Sequence, residues 1–263
     1  MTPLIAQQSP RLACIGRANA KTWLGSSHST ISIEGEDMKV DRRSFLIGGA
    51  SAAALAAASI GTGSLATANT KVSPAEALRR PERGNTRSAN GRTVQRNYSP
   101  LGSTPGKGQQ PFAAIVTCAD SRTVPDNMFD MTPGNLFVVR NAGNSIESVG
   151  LGSLEFAASA LGVSLIAVIG HTSCGAVIAT EDSLKTGELP PPSIDSVVEA
   201  IAPAVEALPA GATTNDAIAA NAKYQAQQIQ NLSPTIAEMT AAGTLGIVSG
   251  VFGVGSGRVT WLP

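Results

Sequence analysis

Short, nearly unbroken apolar runs constrain this chain more than any other feature: PFAAIVTC (111–118), NLFVVRNAG (135–143) and SLIAVIGH (164–171). Runs of that length without polar alternation suit strands covered on both faces, as in parallel sheets. Between the second and third lies helical sequence around Ser145–Leu161, with Ile146, Val149, Leu154 and Phe156 among its apolar positions. Apolar strands alternating with helices predict an α/β fold with a central, mainly parallel β-sheet flanked by helices. Ligands of such sheets bind beyond the carboxyl ends of the strands. Cys118 ends the first run and His171 ends the third, so both fall where a site belongs.

The rest of the chain extends this pattern. Ser73, Pro74 and Glu76 form a helix start, and Pro81 is expected to stop that helix. Gly84 to Gln110 is rich in Gly, Asn, Ser and Pro and reads as an extended arm or loop. Cys174 opens a helix after a tight Thr172-Ser173 turn, and Ser193–Ala242 is Ala-rich helix broken near Pro203, Pro209 and Pro234. TLGIVSGVFGV (244–254) and RVTWL (258–262) close the chain as strands joined by Gly255-Ser256-Gly257. Aromatics are only 4% of residues, so Ala, Val, Leu and Ile must fill the core. Lys plus Arg and Asp plus Glu each number 19, a balance that points away from nucleic acid or an anionic membrane surface as partner.

The first part of the chain reads as a leader. Asp41 to Ala68 places Arg42-Arg43 before a weakly apolar, Ala- and Gly-rich run that ends in Ala66-Thr67-Ala68. This resembles a twin-arginine export signal, with Asp41 where Ser or Thr is usual. The run is too rich in Gly, Ser and Ala to anchor stably in a bilayer, where about 20 strongly apolar residues are expected. The mature protein is therefore expected to be exported, periplasmic or secreted. Met38 lies just before the arginine pair, so translation is expected to begin there rather than at Met1. The divisions expected are 1–68 for the extension and signal, 69–110 for an N-terminal arm and 111–263 for the catalytic domain.

Removing the leader leaves two thiols and one imidazole, Cys118, Cys174 and His171, to serve any Cys/His site. CADSR (118–122) puts a thiol, a carboxylate and a guanidinium at a strand end, and HTSC (171–174) puts an imidazole and a thiol across a turn into a helix. A cysteine at a helix N-terminus has its thiolate stabilised, the form a metal requires. Two thiolates and one imidazole leave a fourth position, as in catalytic zinc sites, and soft S/N ligation favours zinc over magnesium or calcium. By itself the pattern also admits two buried core thiols, a disulfide, or an interior histidine with its own partners.

CADSR with Pro125, Phe129 and Asp130, then NLFVVRNAGN (135–144), then GSLEFAASALGVSLIAVIGHTSCGAV (152–177) together resemble the β-class carbonic anhydrases. The likeness runs without gaps from Phe112 to about Ala179 and returns at GRVTWL (257–262); SPAEALRR and Gly84-Asn85 resemble the family's N-terminal arm. It implies a β-carbonic anhydrase fold, one zinc ion per subunit and a homodimer or homotetramer that hydrates carbon dioxide to bicarbonate. It implies Cys118, His171 and Cys174 as zinc ligands, and Asp120 and Arg122 as a dyad in which Asp120 either ligates zinc or is withdrawn by Arg122. No second histidine remains after residue 68, which excludes a histidine proton shuttle within one subunit. Pro81 and Ser88 stand where the family's arm usually has Leu and Phe, and Phe252-Gly253 where Tyr-Asp is common. Those changes bear on assembly and stability rather than on the metal site. Rival functions are hydrolysis of carbonyl sulfide or carbon disulfide on the same scaffold, and a non-catalytic zinc-binding or thiol-redox protein. The intact Asp120 and Arg122 speak against the second, since a structural zinc needs no such dyad.

Overall fold

The structure is a computed structural model and describes residues 72–94, 108–188 and 190–263. The expected leader, its expected cleavage point and the expected start at Met38 lie outside the described residues. Five strands form one sheet: β1 (Ala113–Cys118), β2 (Leu136–Asn141), β3 (Leu165–His171), β4 (Gly246–Phe252) and β5 (Val259–Trp261). Their order is β2-β1-β3-β4-β5; the first four are parallel, and β5 runs antiparallel to β4. The α/β sheet expected from the sequence is thus present. Every residue of β1 and β3 is buried, which is why those runs are apolar without alternation.

Successive side chains on these strands serve opposite layers. Ala113, Ile115, Leu165, Ala167 and Ile169 pack with Met128, Phe129 and Leu136 on one face. Ala114, Val116, Ile166 and Val168 pack on the other face with Leu154, Ala157, Ile229 and Ile236. Burying a Val, Ile or Leu fully contributes about 1.5–3 kcal/mol, so the two layers together dominate the stability of the sheet.

The helices are α1 (Pro74–Ala89), α2 (Pro125–Met128), α3 (Ser148–Ser159), α4 (Gly175–Thr186), α5 (Pro192–Glu206), α6 (Thr214–Leu232) and α7 (Pro234–Ala241). Three expectations need correction. The first helix does not stop at Pro81 but continues to Ala89, so its last turns replace the start of the expected extended arm. Burial explains this: Ala77, Pro81, Gly84 and Asn85 form one inward stripe. The Asn85 amide donates to Met128 O (3.1 Å) and Gly257 O (2.8 Å) and accepts from Val259 N (2.8 Å). Likewise α5 passes through Pro203 without a break, with Ile201 and Ala204 buried on either side. The helix expected around Ser145 begins at Ser148, because Ser145 (ψ 150°) and Glu147 (ψ 168°) are extended backbone after the 3-10 turn at 142–144. The breaks near Pro209 and Pro234 are present, as are the two closing strands.

Candidate metal centre

The sheet order places β1 and β3 side by side, and their outgoing connections lead to opposite sides. That is the topological switch point at which α/β sheets open a crevice at their carboxyl ends. Cys118 is the last residue of β1 and His171 the last of β3. Cys174 follows as the N-cap of α4, after Ser173 turns the chain with a left-handed φ of 58°. One ligand atom from each of Cys118, His171 and Cys174 lies within 4.8 Å of the others, and all three residues are buried.

The loop after β1 is held from several sides. The Thr123 hydroxyl lies 2.7 Å from Cys118 O and 2.9 Å from Asp120 O. Arg140, near the end of β2, donates from Nε to Cys118 O (3.1 Å) and from Nη2 to Asp120 O (2.7 Å). Arg122 grips the Asp120 carboxylate as a fork, Nε to Oδ1 at 2.9 Å and Nη2 to Oδ2 at 2.7 Å, while its own backbone N–H donates to Oδ1 at 2.9 Å. This hydrogen bonding to Arg122 holds the Asp120 carboxyl well below the usual carboxylate range. Of the two states open to Asp120, the structure shows the pairing with Arg122. Its Oδ2 remains 3.9 Å from His171 Nε2.

His171 Nδ1 lies 3.1 Å from Thr172 O, and because a carbonyl only accepts, Nδ1 carries the proton. The lone pair of Nε2 is then left facing inward, buried and without a hydrogen-bond partner. The two thiols share their protons unequally. Cys118 is pulled down to about 4, first by the Cys174 thiol, against the cost of burial, and further by His171 and the N–H groups of Asp120 and Gly143. Cys174 is pushed up, first by Cys118 and then by burial, while N–H groups of Val177 and Ala176 at the start of α4 oppose the rise. Burial disfavours a charged His171, but the Cys118 sulfur, the Thr172 carbonyl and the Asp120 carboxylate together outweigh it and raise the imidazole.

Two free buried thiols and an orphaned imidazole nitrogen make a soft S/N/S donor set. Such a set fits a tetrahedral zinc ion with one position to spare. All five residues expected at the site, Cys118, Asp120, Arg122, His171 and Cys174, come together. Reading the sequence did not single out Arg140, Thr123, Gly143, Asn221 or Gln225. The last two left a usable signal: they are polar residues four apart on a helix whose neighbouring inward positions are Ala217, Ile218 and Ala222.

A family model described as carbonic anhydrase matches residues 113–259, more than half of the chain. The chain belongs to the carbonic anhydrase family. A carbonic anhydrase of Mycolicibacterium smegmatis is 39% identical over 155 residues, covering 58% of this chain and 75% of the relative. Carbonic anhydrase 2 of Mycobacterium tuberculosis is 37% identical over 158 residues, covering 57% and 74%. Solved structures place this carbonic anhydrase in the β class. A Coccomyxa β-carbonic anhydrase in complex with acetazolamide matches with a TM-score of 0.53 at 27% identity, over 61% of this chain and 75% of that one. A tetrameric β-carbonic anhydrase of Sordaria macrospora matches with a TM-score of 0.51 at 25% identity, over 60% and 83%.

Proposed function

We propose that this carbonic anhydrase catalyses the reversible hydration of carbon dioxide to bicarbonate and a proton, with one zinc ion per subunit held by Cys118, His171 and Cys174. The observation that carries this reading is the buried convergence of those three donors beside a carboxylate already gripped by Arg122. When bound, zinc acidifies a water, toward about 7 in carbonic anhydrases with three histidine ligands, and so supplies hydroxide to attack carbon dioxide. The protein's own groups arrange the rest. Thr172 O holds the proton of His171 on Nδ1, which keeps Nε2 free to ligate. Arg122 engages both oxygens of Asp120, so the carboxylate stays ionised and its Oδ2 stands at the rim of the donor set as a fixed hydrogen-bond acceptor. His171 is the only histidine after residue 68, so the released proton leaves through water, buffer or a carboxylate.

The same reading includes export and assembly. Arg42-Arg43, the apolar run and Ala66-Thr67-Ala68 support removal of residues 1–68 during export to the periplasm or beyond. The tetrameric Sordaria enzyme supports a homodimer or homotetramer here.

The test is stopped-flow hydration of carbon dioxide with zinc measured on the same sample. About one zinc per chain is expected, with activity, and Cys174→Ser is expected to lose both. Zinc without hydration would turn the reading to hydrolysis of carbonyl sulfide or carbon disulfide. A Cys118–Cys174 disulfide in place of zinc would overturn it.

A further inference from the structure

We infer that Asn221 and Gln225, on the inward face of α6, are positioning residues for the metal centre: they hold the 142–144 turn so that the Gly143 N–H meets the Cys118 sulfur. The inference rests on the reading of Cys118 as a metal ligand. Gly143 N lies 3.4 Å from Cys118 Sγ, a contact made in a buried setting. The turn that presents it runs through two successive left-handed residues, Gly143 (φ 69°) and Asn144 (φ 50°), a conformation that glycine and asparagine accommodate best. A side chain at 143 would meet Ile201 Cδ1 at 2.5 Å and Ala176 Cβ at 3.1 Å, so α5 and α4 press directly on this backbone.

From the third side comes α6. Asn221 Nδ2 donates to Gly143 O at 2.9 Å. Gln225 Nε2 donates to Asn221 Oδ1 at 3.1 Å and to Ala200 O at 2.8 Å, and Gln225 Oε1 accepts from Ile146 N at 2.9 Å. These four bonds fix both amides without ambiguity. Gln225 must present nitrogen to two oxygens, so Asn221 must present its oxygen to Gln225 and its nitrogen to Gly143. The two side chains are 1% and 2% exposed. Apolar residues would fill such positions at lower cost in desolvation, and every bond the pair makes to backbone outside α6 goes to α5 or to the segment beginning at the 142–144 turn. An N–H aimed at a thiolate ligand lowers the energy of its lone pairs and fixes its direction, and supporting contacts of this kind are worth about 10–100-fold in metal affinity.

The test uses the full chain, comparing wild type with Asn221→Asp, which keeps the shape but turns an acceptor toward Gly143 O. Gln225→Glu serves as a second variant should the first fold poorly. Zinc affinity is read by competition with a chelator, and the thiolate-to-metal charge-transfer band is read after cobalt substitution. Zinc is expected to bind about tenfold more weakly, and the band to move to lower energy because Cys118 has lost its N–H donor. Ile229→Val, a core change elsewhere on α6 within a different cluster, is expected to leave both readouts unmoved. Variants that bind zinc within twofold of wild type with an unshifted band would overturn the inference. So would an equal loss in Ile229→Val. A wild-type protein that holds no zinc would sink the metal reading itself, and this inference with it.

Discussion

At the scale of single residues, the site depends on geometry that charge alone does not supply. Arg122 is a clear case. Its fork meets both Asp120 oxygens while its backbone N–H takes one of them, so the carboxylate is fixed in direction as well as ionised. A lysine would keep the positive charge but offers a single point of contact. Asp120 would then be free to swing its Oδ2 across the 3.9 Å that separates it from His171 Nε2, toward the donor set. Arg122→Lys is therefore expected to keep its zinc while carbon dioxide hydration falls about tenfold, the lower end for loss of a group that orients a metal site. Stopped-flow rates beside zinc analysis of the same sample check this. Undiminished hydration would show that charge suffices, and loss of zinc would show that Arg122 supports the ligands instead.

Helices and strands show where reading a sequence succeeds and where it stops. The strands β1 and β3 were legible because burial on both faces leaves an apolar run that needs no tertiary knowledge to recognise, and Cys118 and His171 were legible because they terminate those runs. Helix α1 was misread at Pro81 because helix propensity is local and docking is not. Asn85 joins α1 to Met128 O and to Gly257 O and Val259 N, partners far away in sequence. Those bonds reward two further helical turns beyond the proline. Asn221 and Gln225 escaped notice for the same reason, since their partners Gly143 and Ile146 lie on a turn that no periodicity announces. The retained proline carries a measurable cost. It lacks the N–H that would reach Ala77 O, and a mid-helix proline costs about 3 kcal/mol. Some of that is offset by the packing of the buried ring and by the stiffer unfolded chain, the latter worth about 0.4–1 kcal/mol. Pro81→Ala is thus expected to raise stability by about 1 kcal/mol net in urea unfolding. A fall instead would mean that the ring's packing outweighs the missing hydrogen bond.

Across the whole molecule, the described residues gather around a single five-stranded sheet. Among the described residues three apolar clusters form, and all the described residues belong to one compact unit, Thr62–Pro263. No described helix is long and apolar enough to cross a membrane. A chain of about 195 residues buries roughly 70% of the surface its unfolded form exposes, enough for an independent fold. The helix that begins this unit has its own cap, with Ser73 accepting from Glu76 N at 3.3 Å, so α1 does not need a preceding segment to start it. If residues 1–68 act only as an address, a chain beginning at Asn69 will melt at the same temperature as the full chain and hold the same zinc. The protein recovered from outside the cytoplasm will then begin near Asn69. Calorimetry, zinc analysis and N-terminal sequencing together decide this. Equal melting with an intact leader on the recovered protein would keep the fold boundary and discard export. A truncated chain that melts lower or holds less zinc would make residues 1–68 part of the working structure, and the boundary at Asn69 would have to move toward the N-terminus.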